Sequence, residues 1–268
     1  GNAVGSVIAD TGLIFGVGCL LAVLPANRYV LKRQGWVQFA SAMLLAGVCY
    51  TAFNANGDAA QVTRSTGMLF LALLVLYMFL SFGWSKEDSS RRSDDTSVIS
   101  QQESKKISGV MLLATLVIGL AIVITASHIL VGSGTTIASR IGVPEVVIAA
   151  TLVAFGTSLP ELATAVASLT KGRGELLVGN VIGADILNVL FVIGASATAA
   201  PLPIIDQTAS IPAIFLYLHL PAMMLILITF RIFIAIASRS GSFSRWMGVP
   251  LLVIYASYLV AQYTLFIS

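Results

Sequence analysis

Ten residues in the second half of the chain repeat its opening. Gly179-Asn-Val-Ile-Gly-Ala-Asp-Ile-Leu-Asn188 aligns without gaps on Gly1-Asn-Ala-Val-Gly-Ser-Val-Ile-Ala-Asp10, with Gly, Asn, Gly and Ile recurring in register. The match carries on to Gly16 opposite Gly194, and it sets Asp10 opposite Asn188. A shared Gly-Asn-x-x-Gly alone carries little weight, because small residues are common wherever membrane helices pack. The extended register does not fit chance. A chain built from two related halves, each with polar groups in an apolar helix, has the pattern of a secondary transporter made of repeats.

The composition requires a membrane. The 268 residues are 57% hydrophobic and 10% charged, with a mean hydropathy of +0.93, whereas soluble domains carry about 25% charged residues. Eight apolar stretches stand out: Val4 to Leu24, Trp36 to Phe53, Ser65 to Trp84, Ile107 to Val131, Glu145 to Thr170, Glu175 to Ala199, Ile211 to Ser238 and Met247 to Phe266. Each is close to the roughly 20 residues that a spanning helix needs. If the basic connection at 27–34 is cytoplasmic and the spans alternate, thirteen of the fifteen Lys and Arg residues fall on the cytoplasmic side, with only Arg64 and Arg140 outside. The positive-inside rule expects this bias. Both ends of the chain then lie outside, and the net charge of +3 reflects topology rather than a nucleic-acid partner.

The two runs between Thr151 and Gly194, joined by Lys171-Gly-Arg-Gly174, carry acid and amide groups at their middles. A carboxylate there costs about 2.5 to 3.5 kcal/mol even on lenient insertion scales, so it reads as functional. Pro160 lacks an N–H and its ring crowds the preceding turn, which frees backbone carbonyls such as those of Ala154 and Gly156. With the Thr157 and Ser158 hydroxyls and the Glu161 carboxylate they form a hard-oxygen set suited to Na⁺ or Ca²⁺. The competing reading makes Ser158-Leu-Pro-Glu161 a capping box with Ser158 as N-cap. A glutamine could cap equally well without the charge, which favours the ion-linked role. In the opening helix Ser6 and Asp10 are four residues apart and share a face. Asp185 lies three residues before Asn188 on one face. It either adds charge to the site or makes a supporting hydrogen bond to Asn180 or a neighbour, and the residues do not choose between these. Asn2 stands in the same supporting class.

These residues resemble a known family. Gly-Thr-Ser-Leu-Pro-Glu161 followed by Gly179-Asn-Val-Ile-Gly and a helix ending near Asn188 is similar to the second alpha repeat of the cation/calcium exchanger superfamily, nearest its prokaryotic sodium/calcium exchangers. Residues 1 to about 18 resemble the second half of the first alpha repeat. The resemblance covers nearly the whole chain. It implies an all-α membrane protein, an inverted-repeat secondary transporter, with eight of ten expected helices present and a Gly-Thr-Ser-x-Pro-Glu helix expected upstream of Gly1. It implies a truncated first half at 1–84, a cytoplasmic linker at 85–106, and a second half at 107–268 with a complete second repeat at about 145–199. It also implies a central quartet of two glutamates and two Asp or Asn residues, to which Glu161, Asp10 and Asn188 would contribute. Asp185 stands where the family usually has Asn, and Ala184 replaces its usual Ser, which removes one hydroxyl ligand.

The implied activity is antiport of Na⁺ against Ca²⁺ by alternating access, with ions as substrates, the lipid bilayer as surroundings, no catalytic residues, no cofactor, and no protein partner inferred. The expected location is a prokaryotic cell (inner) membrane. H⁺ in place of Na⁺, or K⁺ alongside it, stays open. So does a non-transporting fragment, since the first-repeat glutamate helix is not in this sequence. An intramembrane protease using Asp10 and Asp185 is disfavoured, because no Gly-x-Gly-Asp motif occurs. Phosphate loops, His-Glu-x-x-His and Gly-x-Ser-x-Gly elbows are also missing. The hydrophilic segment from Lys86 to Lys106 is expected to be a disordered linker between halves. Asn54 to Arg64 reads as a polar turn, His128 as interfacial, Glu145 as a helix start, and Cys19 and Cys49 as buried thiols.

Overall fold

The computed structural model describes residues 1–95, 109–142, 154–207 and 212–267. Nine helices are distinguished among these residues. Helix α1 is Asn2–Leu21 and α2 Arg28–Asn56; α3 is Arg64–Asp95 and α4 Gly109–Arg140. The short α5, Ala154–Thr157, precedes α6, Leu159–Thr170. Helix α7 is Gly174–Ala199, α8 Phe215–Ser240 and α9 Gly248–Ile267. Among the described residues seven helical segments are long and apolar enough to cross a membrane. The chain is a multi-pass integral membrane protein.

Several boundaries differ from the sequence reading. The fifth apolar stretch is not one helix: it breaks between Thr157 and Leu159, and its beginning, with Glu145, lies outside the described residues. The basic stretch at 27–34 is helix for most of its length, because α2 already starts at Arg28. Lys and Arg are good helix formers, so they extend a helix beyond the apolar core into the interface. Helix α3 runs through Asp95, into the segment expected to be a disordered linker, although Ser and Asp, which are poorer helix formers, make up most of that extension; residues 96–108 lie outside the described set. Helix α4 runs nine residues past the expected Val131, to Arg140.

The sequence repeat is a structural repeat down to its irregularities. Both α1 and α7 contain a π-helical stretch, Asp10–Phe15 in one and Asn188–Ile193 in the other. Each is followed by a short α-helical end, at Gly16–Leu21 and Gly194–Ala199, and then by a two-residue strand, β1 at Leu24–Pro25 and β3 at Leu202–Pro203. The register that sets Asp10 opposite Asn188 sets all of these opposite one another.

Two further strands complete the pairing. β2, Gln61–Val62, precedes α3, and β4, Ser242–Phe243, precedes α9. β1 pairs antiparallel with β4, and β2 with β3. Backbone bonds from Ala26 N–H to the Gly241 carbonyl and from Ile204 N–H to the Ala60 carbonyl, both 2.9 Å, extend these contacts. The α8-to-β4 turn requires positive φ, which Gly241 supplies at +83°. Each half thus donates one strand to each pair. β1 and β4 therefore share one end of the helices and β2 and β3 the other, the pairing that alternating spans require.

The core lies where α1 and α7 cross and where α2, α8 and α9 cover them. Val4, Val7, Ile8, Phe15, Leu177, Val181, Ile182 and Ile186 are buried almost completely. Phe15 packs edge-on against Phe230 and Phe243, with ring centroids 4.6 and 5.1 Å apart. The faces of α3 and α4 are exposed and apolar, as lipid-facing helices must be.

Candidate ion site at the crossing of the two repeats

The broken helix comes first. Ser158 occupies the N-cap position of α6, and Glu161 lies in its first turn. The capping box does not form: Ser158 makes no side-chain cap bond, and its buried hydroxyl has no hydrogen-bond partner among the described residues. Pro160 at the start of α6 supplies no N–H. The break therefore leaves polar groups directed inward rather than into the helix itself. Gly156, just before it, lies so close to Val131 of α4 that a side chain there would collide.

Facing the break is α1. Ser6 Oγ lies 3.1 Å from Thr157 Oγ1, a hydroxyl–hydroxyl bond between the two repeats. One turn on, at the first residue of the π stretch, Asp10 is completely buried. Among the described residues neither of its carboxylate oxygens makes a well-formed hydrogen bond, though the Ser158 hydroxyl lies near, and Glu161 Oε2 has no partner either. Asp10, Glu161 and Asp185 lie near enough for their charges to interact. Glu161 and Asn188 are half-buried and Thr157 is exposed. Asn188 begins its own π stretch, in the position equivalent to Asp10. Ala154 and Gly156 belong to the short α5 before the break.

The fold thus brings Ser6, Asp10, Thr157, Ser158 and Glu161 to one region from helices that are far apart in sequence. Asp185 makes supporting hydrogen bonds, to neighbours other than Asn180: its Oδ2 accepts from Thr11 Oγ1 and Gln38 Nε2, each at 2.5 Å. Asn180 instead donates through Nδ2 to Thr164 Oγ1, 2.8 Å away. Asn2 is exposed near the start of α1. Thr11 and Gln38 were not singled out in the sequence. Gln38 is the one amide within the apolar stretch Trp36 to Phe53, and that was the available signal.

Chemically the arrangement is an oxygen-only site. Buried carboxylate oxygens without partners are costly, and a cation offsets that cost. Among the described residues no three His, Cys, Asp or Glu side chains form a compact metal cluster. The side-chain groups gathered here, carboxylates and hydroxyls, are oxygen donors of the kind hard cations take.

The comparisons with known proteins fit this geometry. The profile of the sodium/calcium exchanger protein family matches residues 1–83 and 111–264. The chain belongs to that family. It is 35% identical over 212 residues to the putative antiporter CaxA of Alkalimonas amylolytica, covering 78% of this chain and 63% of that protein. It is 29% identical over 290 residues to the sodium/calcium exchanger MaX1 of Methanosarcina acetivorans, covering 98% and 79%. It is 31% identical over 203 residues to the inner membrane protein YrbG of Escherichia coli, covering 75% and 60%. The chain therefore spans under two thirds of the length of two of these relatives. A solved structure of the sodium-calcium exchanger NCX_Mj superposes with a TM-score of 0.71 at 22% identity, over 97% of this chain and 75% of that one. At that identity the likeness speaks for the fold.

Proposed function

We propose that this family member takes part in antiport of Ca²⁺ against Na⁺, by alternating access at the crossing of α1, α6 and α7. Asp10 carries the reading: a fully buried carboxylate with both oxygens unpartnered is destabilising unless a cation occupies it. Glu161 supplies the second negative charge, Ser6, Thr157, Ser158 and Asn188 neutral oxygens, and the break at Pro160 the carbonyls of Ala154 and Gly156. Either one Ca²⁺ or several Na⁺ balance the acids, while the empty, ionised site is unfavourable in low dielectric, so release of one ion is tied to capture of the other. The inverted halves give the two access states, each face being closed in turn by the movement of one helix group against the other. The naming of one relative as a sodium/calcium exchanger and another as a putative antiporter supports the same class.

The test is calcium uptake by vesicles that carry the complete gene product, loaded with Na⁺ and diluted into Na⁺-free buffer, beside a pH-gradient control. Uptake that requires internal Na⁺ and is lost in Glu161→Gln, with the variant folded and present in equal amount, is the expected result. Uptake driven only by the pH gradient moves the coupling ion to H⁺. Wild-type uptake in Glu161→Gln overturns the assignment of the site.

A further inference from the structure

Three buried polar side chains that the ion site does not use meet between the halves. Asp185 on α7 is 1% exposed, Thr11 in the π stretch of α1 is 0% and Gln38 on α2 is 3%. Asp185 Oδ2 accepts from both Thr11 Oγ1 and Gln38 Nε2. Two donors on one carboxylate oxygen fix its direction, and hydrogen bonds to a charged acceptor are stronger than neutral ones. The remaining oxygen, Oδ1, has no partner among the described residues.

We propose that Asp185 is a positioning residue that orients Asp10 toward the cation through Thr11, with Gln38 holding Asp185 in place. Asp10 itself receives no well-formed hydrogen bond from any described residue; the Ser158 hydroxyl of the broken helix lies near it, and no donor on α1 sets its aim. Thr11 follows it directly in a π stretch, and such turns commonly sit at functional positions. Neighbouring residues on a helix point in different directions, so pinning Thr11 from the α7 side fixes the rotation of the turn and leaves Asp10 facing the broken helix. The second repeat supplies the contrast. There the register sets Val7 opposite Asp185 and Val189 opposite Thr11, both buried and apolar. The brace therefore exists in one copy only, at the repeat whose central residue is the acid rather than the amide. This inference rests on the cation-site reading, and it adds residues that the site's own ligands do not include.

The test uses the complete gene product purified in detergent, with the cation concentration that gives half-maximal thermal stabilisation measured for Ca²⁺ and for Na⁺. Removing an orienting partner from behind a metal ligand typically lowers affinity 10- to 100-fold. The expected result is a rise of about tenfold in the Ca²⁺ half-point for Thr11→Val, a similar rise for Gln38→Leu, and a near wild-type value for Thr11→Ser, which keeps the hydroxyl. Asp185→Asn, which still offers an acceptor oxygen, is expected to lose less than Asp185→Val. If Thr11→Val lowers the cation-free melting temperature but leaves the half-points unchanged, the three residues are only a packing element and the proposal falls. If Asp185→Asn abolishes cation binding as completely as Glu161→Gln, Asp185 serves the ion directly and the positioning role falls. If neither cation stabilises the wild type, the ion-site reading fails and takes this inference with it.

Discussion

Gly248 lies against the carbonyl oxygen of Gly16 so closely that a Cβ at 248 has no room. The other half repeats the contact with Gly67, where a Cβ would come within 2.7 Å of the Gly194 carbonyl and 2.6 Å of the Thr198 amide. In both cases the helix that follows a short strand, α9 or α3, is laid on the end of a repeat helix immediately after its π stretch. Small residues let membrane helices approach to this distance. Backbone atoms line both contacts, so neither can yield as the far end of a flexible side chain would. Gly248→Ala and Gly67→Ala are each expected to destabilise by about 1–3 kcal/mol or more, the usual cost of overpacking. The melting temperature in detergent, with Gly47→Ala as a control at a position with open space around it, checks this; unchanged melting in both variants would sink the packing argument.

The hydroxyl pair Ser6 and Thr157 joins the two repeats beside the candidate site. A neutral hydrogen bond is worth about 1 kcal/mol, close to a fivefold change in an equilibrium. Ser6→Ala and Thr157→Val should each weaken Ca²⁺ half-saturation by roughly that factor, if the loss is the shared bond. Because each hydroxyl is also assigned to the ion, the double variant should lose clearly more than either single one. A double variant no weaker than a single one would leave the pair as a structural bond and remove both hydroxyls from the ion.

Much of this was legible in the residues. The Gly-Asn-x-x-Gly register predicts a duplicated unit, and the structure duplicates even the π stretches and the strands after them. The charge distribution predicts which connections share a face, and the strand pairs join those connections. The π stretches themselves were not legible, since a change from one hydrogen-bond register to the next leaves no residue signature. Nor were the partners of Asp185. Thr11 and Gln38 lie 174 and 147 residues away, and only the packing of α1, α2 and α7 shows which polar groups share a pocket. The helix ends at Arg28 and Asp95 were misplaced because hydropathy reports the bilayer's edge, whereas helical hydrogen bonding continues through polar residues beyond it.

Pro160 separates α5 from α6, and its replacement isolates the effect of the break. Pro160→Ala restores an N–H and removes the ring that crowds the preceding turn. The helix can then close across Ser158, drawing the Gly156 carbonyl into an internal bond. The expected variant is at least as stable as the wild type in the absence of ions and transports Ca²⁺ at least tenfold more slowly, which is on the order of 1.4 kcal/mol. Melting and initial uptake rates, measured on the same preparation, check both parts. Wild-type uptake would show that the freed carbonyls are not used.

Asp10→Asn makes the two repeats alike at their central residue, and its two consequences have opposite signs. The amide fills the same space, so the fold should survive. A buried carboxylate with two unpartnered oxygens carries a desolvation cost of at least about 1–3 kcal/mol, and the substitution removes the charged part of it. The cation-free variant should therefore melt no lower than the wild type. The same change removes one of the charges that hold a divalent ion, so the added stabilisation by Ca²⁺ should shrink far more than that by Na⁺, since attraction scales with the product of the charges. Melting curves in chelator, in Ca²⁺ and in Na⁺ separate these effects. A variant that unfolds in chelator would assign Asp10 a structural role, and one with undiminished Ca²⁺ stabilisation would remove it from the site.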